Sequence, residues 1–380
     1  MQEFSIKTNV CFGKDSFEKL KEYKAECAVI FTDNFMQKSG TAAKVASHMT
    51  GCDRIEVFSD IKPDPPVEIV AKALKFLLDC NASLVVALGG GSSIDAAKST
   101  VMIAEKQTGN SITFIAIPTT SGTGSEVTKF SVITDAQKGV KYPLVSDDLL
   151  PDVAIMCPEL TVSVPKQITA DTGFDVITHA IEAYVSTAAN DFSDALCEKA
   201  LELAFEYLPK CCNTPDDIVA REKMQISSCL AGMAFNAVSL GVVHGIAHAL
   251  GANFHIPHGR ANAMMLPHVM SFNAGFLNGN ENKAECKYVQ ERFAKIAKIV
   301  GISSFSNKNG AQNLIRRILS DETNLGIPLS LKEAAVSSEN YNNAKEHIIA
   351  SAVNDACTAT NPVKITGSDV ELILSNVDKF

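Results

Sequence analysis

Short apolar runs alternate with amphipathic stretches through the first 160 residues, and this alternation limits the possible folds more than any other feature. Bounded by Gly, Pro, Asp or Asn, apolar runs of strand length occur at residues 27–32, 54–58, 84–88 and 113–117. Residues 66–80, between two of these runs, place their apolar side chains on one helical face. Strand–helix alternation predicts a mostly parallel sheet with helices on both faces.

The pattern changes after Pro158. Two further strand-like runs, at residues 129–134 and 153–157, close the first half. From about Thr169 onward the spacing is helical, and one helical stripe contains Phe174, Ile177, Ile181 and Tyr184. We therefore predict an α/β domain with a Rossmann-like parallel sheet over residues 1–162 and an all-helical domain over residues 163–380.

Composition excludes several classes of protein. The net charge of −9 and the pI near 5.4 argue against nucleic-acid binding, which requires a basic surface. The first ten residues lack the pattern of a secretory signal. The most apolar stretch, residues 232–251, contains two histidines and is interpreted as a buried helical segment rather than a membrane span. Eleven scattered cysteines are typical of free thiols in a reducing compartment, so we expect a cytoplasmic protein.

A glycine-rich turn follows the third apolar run, where residues 89–98 read GGGSSIDAAK. A buried strand, a glycine turn and the start of a helix are the elements of a phosphate-binding site, because the backbone N–H groups at a helix start face the anion. The dinucleotide fingerprint would need Gly in place of Ile94, and the P-loop would need Gly in place of Ala97. The turn is consistent either with nucleotide binding or with a simple tight turn.

Two further polar groups follow neighbouring strands. Residues 118–126 read PTTSGTGSE, a loop of small hydroxyl and glycine residues that could surround a phosphate or a nicotinamide. Asp33 ends an earlier strand, where a carboxylate could bind a ribose diol and would repel a 2′-phosphate. Because ligands of open α/β sheets bind at the carboxyl ends of the strands, these loops together favour binding of NAD.

Histidines are concentrated in the second half, with five of the eight between residues 244 and 268. Asp175 and His179 have the i, i+4 spacing that places two side chains on one helix face, and His244 and His248 repeat it. With a loop histidine, such pairs can enclose one metal ion, and a donor set of imidazoles and one carboxylate suits Fe²⁺ or Zn²⁺. Spacing indicates Asp175, His179, His244 and His258, and it leaves open whether His248 or His255 is also a ligand.

These motifs together resemble the iron-containing (group III) alcohol dehydrogenases, and the resemblance covers essentially the whole chain. It rests on the segments at residues 89–98, 118–126 and 175–179, and on GVVHGIAHALG at residues 241–251 followed by Pro-His-Gly at 257–259. It implies a dinucleotide-binding α/β domain, a helical metal-binding domain, and NAD-linked interconversion of small primary alcohols or diols and their aldehydes. It also implies Fe²⁺, or alternatively Zn²⁺, as the metal. Separately, we expect a homo-oligomer, in which the strand-like segment at residues 4–11 could pair across a dimer.

The resemblance also implies roles for single residues. The four implied metal ligands are Asp175, His179, His244 and His258. His248 corresponds to a histidine that is not a ligand and assists proton movement, Phe235 lines the substrate pocket, and Asp33 selects NAD. The positions that surround the cofactor are Gly90, Gly91, Ser92, Thr119, Thr120, Thr128 and Lys141.

The sequence leaves four alternative functions open. A metal- and NAD-dependent lyase similar to dehydroquinate synthase would need basic side chains for an anionic substrate, and the relevant segments offer few beyond Lys141 and Arg260. A glycerol-type polyol dehydrogenase would use zinc and fewer of these histidines. A metal-dependent hydrolase would bind a phosphate ester at the glycine turn and would not bind nicotinamide. A non-catalytic binding protein would have no need for an Asp and three His focused on one point.

Overall fold

The computed structural model describes residues 4–135 and 140–378, apart from the side chains of residues 140 and 141. The chain divides into two compact units, Met1–Ser163 and Val164–Phe380. The first is an α/β unit and the second is helical, so the predicted fold class is confirmed.

A six-stranded parallel sheet forms the centre of the first unit, with strand order β1-β8-β5-β4-β2-β3. Strand β2 pairs with β3 on one side and with β4 on the other, so the order reverses between β2 and β4. Ligands of open α/β sheets bind beside the carboxyl ends of the strands at such a reversal. The strands are β1 (Asn9–Phe12), β2 (Ala25–Asp33), β3 (Cys52–Ile61), β4 (Leu84–Gly89), β5 (Thr113–Pro118) and β8 (Val153–Met156).

Helices cover both faces of this sheet, as the alternation predicts. Cys27, Val29 and Phe31 of β2 pack into one apolar core, while Ala28 and Ile30 pack into a second core on the opposite face. This alternation of neighbours follows from the two-residue period of a strand. The helices of the unit are α1 (Asn34–Lys38), α2 (Thr41–His48), α3 (Val67–Cys80) and α4 (Gly91–Thr108).

A separate antiparallel pair is formed by β6 (Phe130–Asp135) and β7 (Val140–Val145). The apolar run at residues 129–134 therefore forms a strand, but not one of the parallel sheet, and β7 was not predicted. Strand β1 pairs in parallel with β8 of the same chain.

The second unit contains nine helices among the described residues, and its helical character is confirmed. Its helices are α5 (Lys166–Val185), α6 (Asp191–Asn213), α7 (Ile218–Val238), α8 (Val242–Phe254), α9 (His258–Asn273), α10 (Ala284–Ile299), α11 (Asn307–Leu325), α12 (Ser338–Asn354) and α13 (Gly367–Leu374). The predicted stripe of Phe174, Ile177, Ile181 and Tyr184 lies on α5 and is buried.

The apolar stretch at residues 232–251 is not one helix. Helix α7 ends at Val238, Ser239 adopts a positive φ of 62°, and α8 begins at Val242 after a bend of 105°. Among the described residues, no single helix is both long and apolar enough to cross a membrane, and only the bent pair α7–α8 meets those criteria jointly. All eleven cysteines are free thiols, as the sequence predicts.

Candidate active site

Four of the predicted cofactor residues lie at the carboxyl ends of three adjacent strands. Asp33 ends β2, Gly90 and Gly91 follow β4, and Thr119 follows β5. The Thr119 N–H donates to the Gly89 carbonyl at 3.0 Å, which joins the glycine turn to the next loop. The structure therefore brings these residues together at the point where the strand order reverses.

Some side chains at this edge of the sheet already form hydrogen bonds within the protein. Asp33 Oδ1 caps α1 by accepting from the Met36 N–H at 2.9 Å, and its other carboxylate oxygen can still accept a hydrogen bond. Ser92 Oγ accepts from the Asp64 N–H at 3.3 Å. Thr120 is only partly buried and is accessible from the edge.

Thr128 is buried and is held by Lys98, a fully buried lysine of α4. The Lys98 ammonium donates to the Thr128 carbonyl at 2.6 Å, to Thr128 Oγ1 at 3.2 Å and to the Phe130 carbonyl at 2.8 Å. Burial lowers the pKa of Lys98 to about 8, although Asp95 and Glu126 act in the opposite direction. Thr128 therefore anchors the polar loop to α4. Lys141 lies in β7, and its side chain is outside the described part of the chain.

Four donor atoms converge within the second unit. Asp175 and His179 lie on α5, His244 lies in the first turn of α8, and His258 opens α9. One ligand atom from each of these residues lies within 4.8 Å of the others. The structure thus gathers the four residues that the spacing indicated, and neither His248 nor His255 belongs to this donor cluster. His255 is exposed and ends α8 in the left-handed conformation.

Close packing of α9 on α5 brings His258 to the cluster. A Cβ on Gly259 would lie 2.2 Å from the Asp171 carbonyl oxygen, so only glycine permits this approach. Arg260 then forms a bidentate ion pair with Asp171, at 3.2 Å from Nε to Oδ1 and 2.9 Å from Nη2 to Oδ2. The ion pair of Arg260 with Asp171 therefore holds α9 against α5. The lyase alternative needs basic groups for an anionic substrate, and this pairing argues against Arg260 as one of the two candidates.

The donor cluster fits a divalent transition metal ion. Asp175 Oδ1 lies 3.8, 4.0 and 3.5 Å from Nε2 of His179, His244 and His258. Donors about 2.1 Å from a tetrahedral ion lie about 3.4 Å apart, close to these separations. Asn262 Nδ2 lies 2.7 Å from Asp175 Oδ1 and 3.0 and 3.1 Å from the His244 and His258 nitrogens. Since this amide has two hydrogens for three acceptors, a cation would satisfy the cluster better.

Aromatic rings surround the donors. Phe235 stacks on the His179 imidazole with ring centroids 4.5 Å apart and an interplanar angle of 25°. His248 stacks on His258 at 5.3 Å. The His248 Nδ1 atom lies 2.8 Å from Asp355 Oδ2. Phe235 and His248 thus lie beside the donor cluster.

Burial controls the protonation of this region. The pKa of His244 lies well below its usual value because the ring is buried and its neighbours are other imidazoles, which favours the neutral form that binds metals. Burial raises the pKa of Glu182 to about 8, against backbone N–H groups at the start of α8 that lower it. A divalent cation at the cluster would also favour the Glu182 carboxylate.

Sequence reasoning missed three residues of this site. Asn262 follows His258 by four positions and Glu182 follows His179 by three, so helical spacing could have indicated both. Asp355 has no such signal, because it lies far from His248 in the sequence.

Comparisons with known proteins show the family of the chain. The profile of the iron-containing alcohol dehydrogenases matches residues 7–158, and that of the C-terminal domain of the same family matches residues 169–377. The chain belongs to the iron-containing alcohol dehydrogenase family. Like other members of this family, it is an alcohol oxidoreductase.

Individual relatives of this alcohol dehydrogenase cover nearly its whole length. It is 40% identical to the 1-propanol dehydrogenase PduQ of Citrobacter freundii over 99% of this chain and all of the relative. It is 36% identical to the NADPH-dependent butanol dehydrogenase of Clostridium saccharobutylicum, over 99% of this chain and 98% of that protein. The structure of sulfoacetaldehyde reductase from Bifidobacterium kashiwanohense in complex with NAD⁺ superposes with a TM-score of 0.85 at 29% identity, covering 99% of this chain and 98% of that one.

Proposed function

We propose that this alcohol dehydrogenase interconverts small primary alcohols or diols and their aldehydes, with NAD(H) as the hydride carrier and one Fe²⁺ or Zn²⁺ per chain. The observation that carries the proposal is the convergence of Asp175, His179, His244 and His258. The relatives are named for 1-propanol, butanol and sulfoacetaldehyde, which supports a short substrate of about two to four carbons.

The metal would be held by Asp175, His179, His244 and His258. When bound, Fe²⁺ or Zn²⁺ supplies Lewis acidity toward a substrate oxygen, an effect worth several kcal/mol. The chain fixes the donors in advance, because three helices of one compact unit carry all four residues. Phe235 supports this arrangement by packing against the His179 ring, and we assign its outer surface to the substrate pocket.

The cofactor would bind in the first unit, and we assign this role to residues 1–162, with the metal site and the remaining catalytic groups in residues 163–380. Bound NAD(H) supplies the hydride or accepts it. The assigned residues are Asp33, Gly90, Gly91, Ser92, Thr119, Thr120, Thr128 and Lys141. The NAD⁺ complex of the sulfoacetaldehyde reductase supports NAD, whereas the butanol dehydrogenase is named for NADPH, so the preference rests on Asp33.

His248 would hold or release the proton that balances hydride transfer. Because Asp355 occupies Nδ1, the exchangeable position is Nε2. The side chain is 40% exposed, so this nitrogen can exchange protons directly or through water.

We further propose a cytoplasmic homo-oligomer. Eleven free thiols are typical of a reducing compartment. Strand β1 lies at the edge of the sheet, where unpaired backbone groups can join another chain.

The test is anaerobic purification, quantification of bound metal, and measurement of NADH and NADPH absorbance with a panel of short aldehydes. We expect about one Fe²⁺ or Zn²⁺ per chain, turnover with propanal or butanal, loss of turnover on chelation and recovery on adding metal. A metal-loaded protein that leaves both cofactors unchanged with every aldehyde would overturn the proposal and favour the lyase or hydrolase.

A further inference from the structure

Glu182 makes two contacts within the second unit that none of the assigned roles explains. It lies on α5 and is only 4% exposed. Its Oε2 atom lies 2.5 Å from His244 Nδ1, and its Oε1 atom accepts from the Val243 N–H at 2.7 Å. The carboxylate therefore contacts both the ring of one metal-site histidine and the backbone beside it.

The first contact decides which imidazole nitrogen faces the donor cluster. In the ionised form that a bound divalent cation favours, the Glu182 carboxylate only accepts hydrogen bonds, so His244 Nδ1 then carries its hydrogen toward Glu182. The lone pair is then on Nε2, the atom 4.0 Å from Asp175 Oδ1. A histidine that binds a metal through one nitrogen needs this partner on the other, both to set the tautomer and to orient the ring.

The second contact places the carboxylate at the start of α8. The first N–H groups of a helix lack partners within the helix and carry positive potential, so an anion there is stabilised. Gly241 makes room for this arrangement, because a Cβ at that position would lie 2.7 Å from Glu182 Oε1. Glu182 therefore fixes α8 to α5 at the point where His244 enters the cluster.

Charge balance indicates the same role. Asp175 and Glu182 are both buried, and with a divalent ion bound each would contribute one negative charge close to the three imidazoles. Two buried carboxylates without a counter-charge are costly, whereas a divalent ion would neutralise them together.

We propose that Glu182 is a positioning residue for the metal: it holds His244 in the tautomer and orientation that bind the ion and supplies half of the balancing negative charge. This inference rests on the proposed function, since it requires a metal at the four donors. It assigns to Glu182 no contact with substrate or cofactor.

The sharpest variant is Glu182→Gln, which keeps size and the acceptor for Val243. Its amide hydrogens would face His244 Nδ1, so Nδ1 must accept and the ring hydrogen moves to Nε2, where it blocks the metal. The matched control is Asn361→Ala. Asn361 Oδ1 accepts the Val242 N–H at 3.3 Å, so it supports the same helix start through the preceding residue and not through His244.

Affinity for Zn²⁺ is measured on the full-length apo proteins by competition with a chromogenic chelator, and apo stability by urea denaturation. We expect Glu182→Gln to bind Zn²⁺ about 10–100-fold more weakly than wild type. Its apo form should unfold at a urea concentration close to that of wild type, because glutamine keeps the size of the side chain and the acceptor for the Val243 N–H. Asn361→Ala should lose stability and keep wild-type affinity.

The outcomes separate the two proposals. If wild type itself binds no Zn²⁺, the proposed function fails. If wild type and Glu182→Gln bind Zn²⁺ equally, the role of Glu182 is wrong while the metal site stands. Equal losses of affinity in Asn361→Ala and Glu182→Gln would also overturn it, because the effect would then come from support of the helix start alone.

Discussion

His248 and Asp355 lie 107 positions apart in the sequence, yet the imidazole Nδ1 and the carboxylate Oδ2 are 2.8 Å apart. Asp355 follows the last residue of α12, whereas His248 lies in the middle of α8. Partnering of His248 with this carboxylate lowers the pKa of Asp355, although burial acts in the opposite direction. The pair resembles the base-and-orienting-carboxylate arrangement of many enzymes, and it supports the first prediction.

Replacement of His248 by Ala should lower kcat for propanal reduction by about 100-fold or more, because general acid–base groups contribute at least that much. Metal content should stay unchanged, since His248 is not in the donor cluster. Steady-state NADH oxidation and metal analysis on one preparation measure both quantities. Asp355→Asn should give a smaller loss of kcat with the same metal content. Full activity in a metal-loaded His248→Ala protein would remove the assigned proton role.

Loss of a donor should empty the metal site, while loss of a nearby histidine should not. We expect His258→Ala to purify with far less than one metal per chain and without turnover. The control is His255→Ala, three positions earlier and exposed, which should bind metal and turn over as wild type does. Elemental analysis measures the metal content per chain of the two variants. Equal metal content in both would contradict the assignment of His258 as a ligand.

Shortening Phe235 should change substrate preference. Phe235→Ala removes a ring stacked on His179 and opens space beside it. We expect kcat/KM for butanal to rise relative to propanal by about tenfold, since a methylene in an apolar pocket is worth about 1–3 kcal/mol. The ratio is measured on one enzyme preparation, with Phe235→Leu as the intermediate case. An unchanged ratio in both variants would place Phe235 outside the pocket.

Asp33 should control the choice between NADH and NADPH. Its carboxylate would repel a 2′-phosphate, so Asp33→Ser should raise the ratio of kcat/KM with NADPH to that with NADH by at least about tenfold. Serine keeps a side-chain acceptor for the Met36 N–H, so α1 should remain capped. A ratio that does not move would show that another residue selects the cofactor.

The buried Lys98 should be important for the stability of the first unit. Lys98→Met keeps the length of the side chain and removes three hydrogen bonds, leaving the Thr128 and Phe130 carbonyls without this donor. We expect the free energy of unfolding to fall by about 2–4 kcal/mol in urea denaturation. Lys106→Met, on the same helix but exposed and paired with Asp148, should change stability by less than about 0.5 kcal/mol. Similar losses in both would contradict the role of Lys98.

Local sequence periodicity predicted most of the fold. Five of the six strands of the parallel sheet and helix α3 came from runs whose pattern is complete within a few residues. Strand β7 was missed because its partner β6 is antiparallel and separate from the main sheet, so strand–helix alternation does not reveal it. The i, i+4 spacing of Asp175 and His179 similarly revealed one side of the site.

Contacts between distant segments could not be predicted in this way. The pairing of Asp355 with His248 depends on how α12 packs against α8, and a single sequence contains no periodic signal for that packing. The role of Arg260 was also hidden, since its ion pair with Asp171 depends on the close approach of α9 to α5. Glu182 and Asn262 do lie three and four positions after a proposed ligand on the same helix, so helical spacing placed them near the site. Polar side chains at such positions are common on any helix, however, and the spacing alone did not single them out.

The bend at Ser239 determines where the apolar stretch at residues 232–251 places its side chains. In a straight helix Phe235 and His244, nine residues apart, would be separated by about 13 Å along the axis. With the 105° bend, both rings instead contact the His179 imidazole, at centroid distances of 4.5 and 4.8 Å. A single continuous segment thereby places an aromatic ring and a proposed metal donor against the same imidazole. The positive-φ backbone at Ser239 therefore helps to place Phe235 and the proposed ligand His244, although Ser239 is not itself one of the four donors.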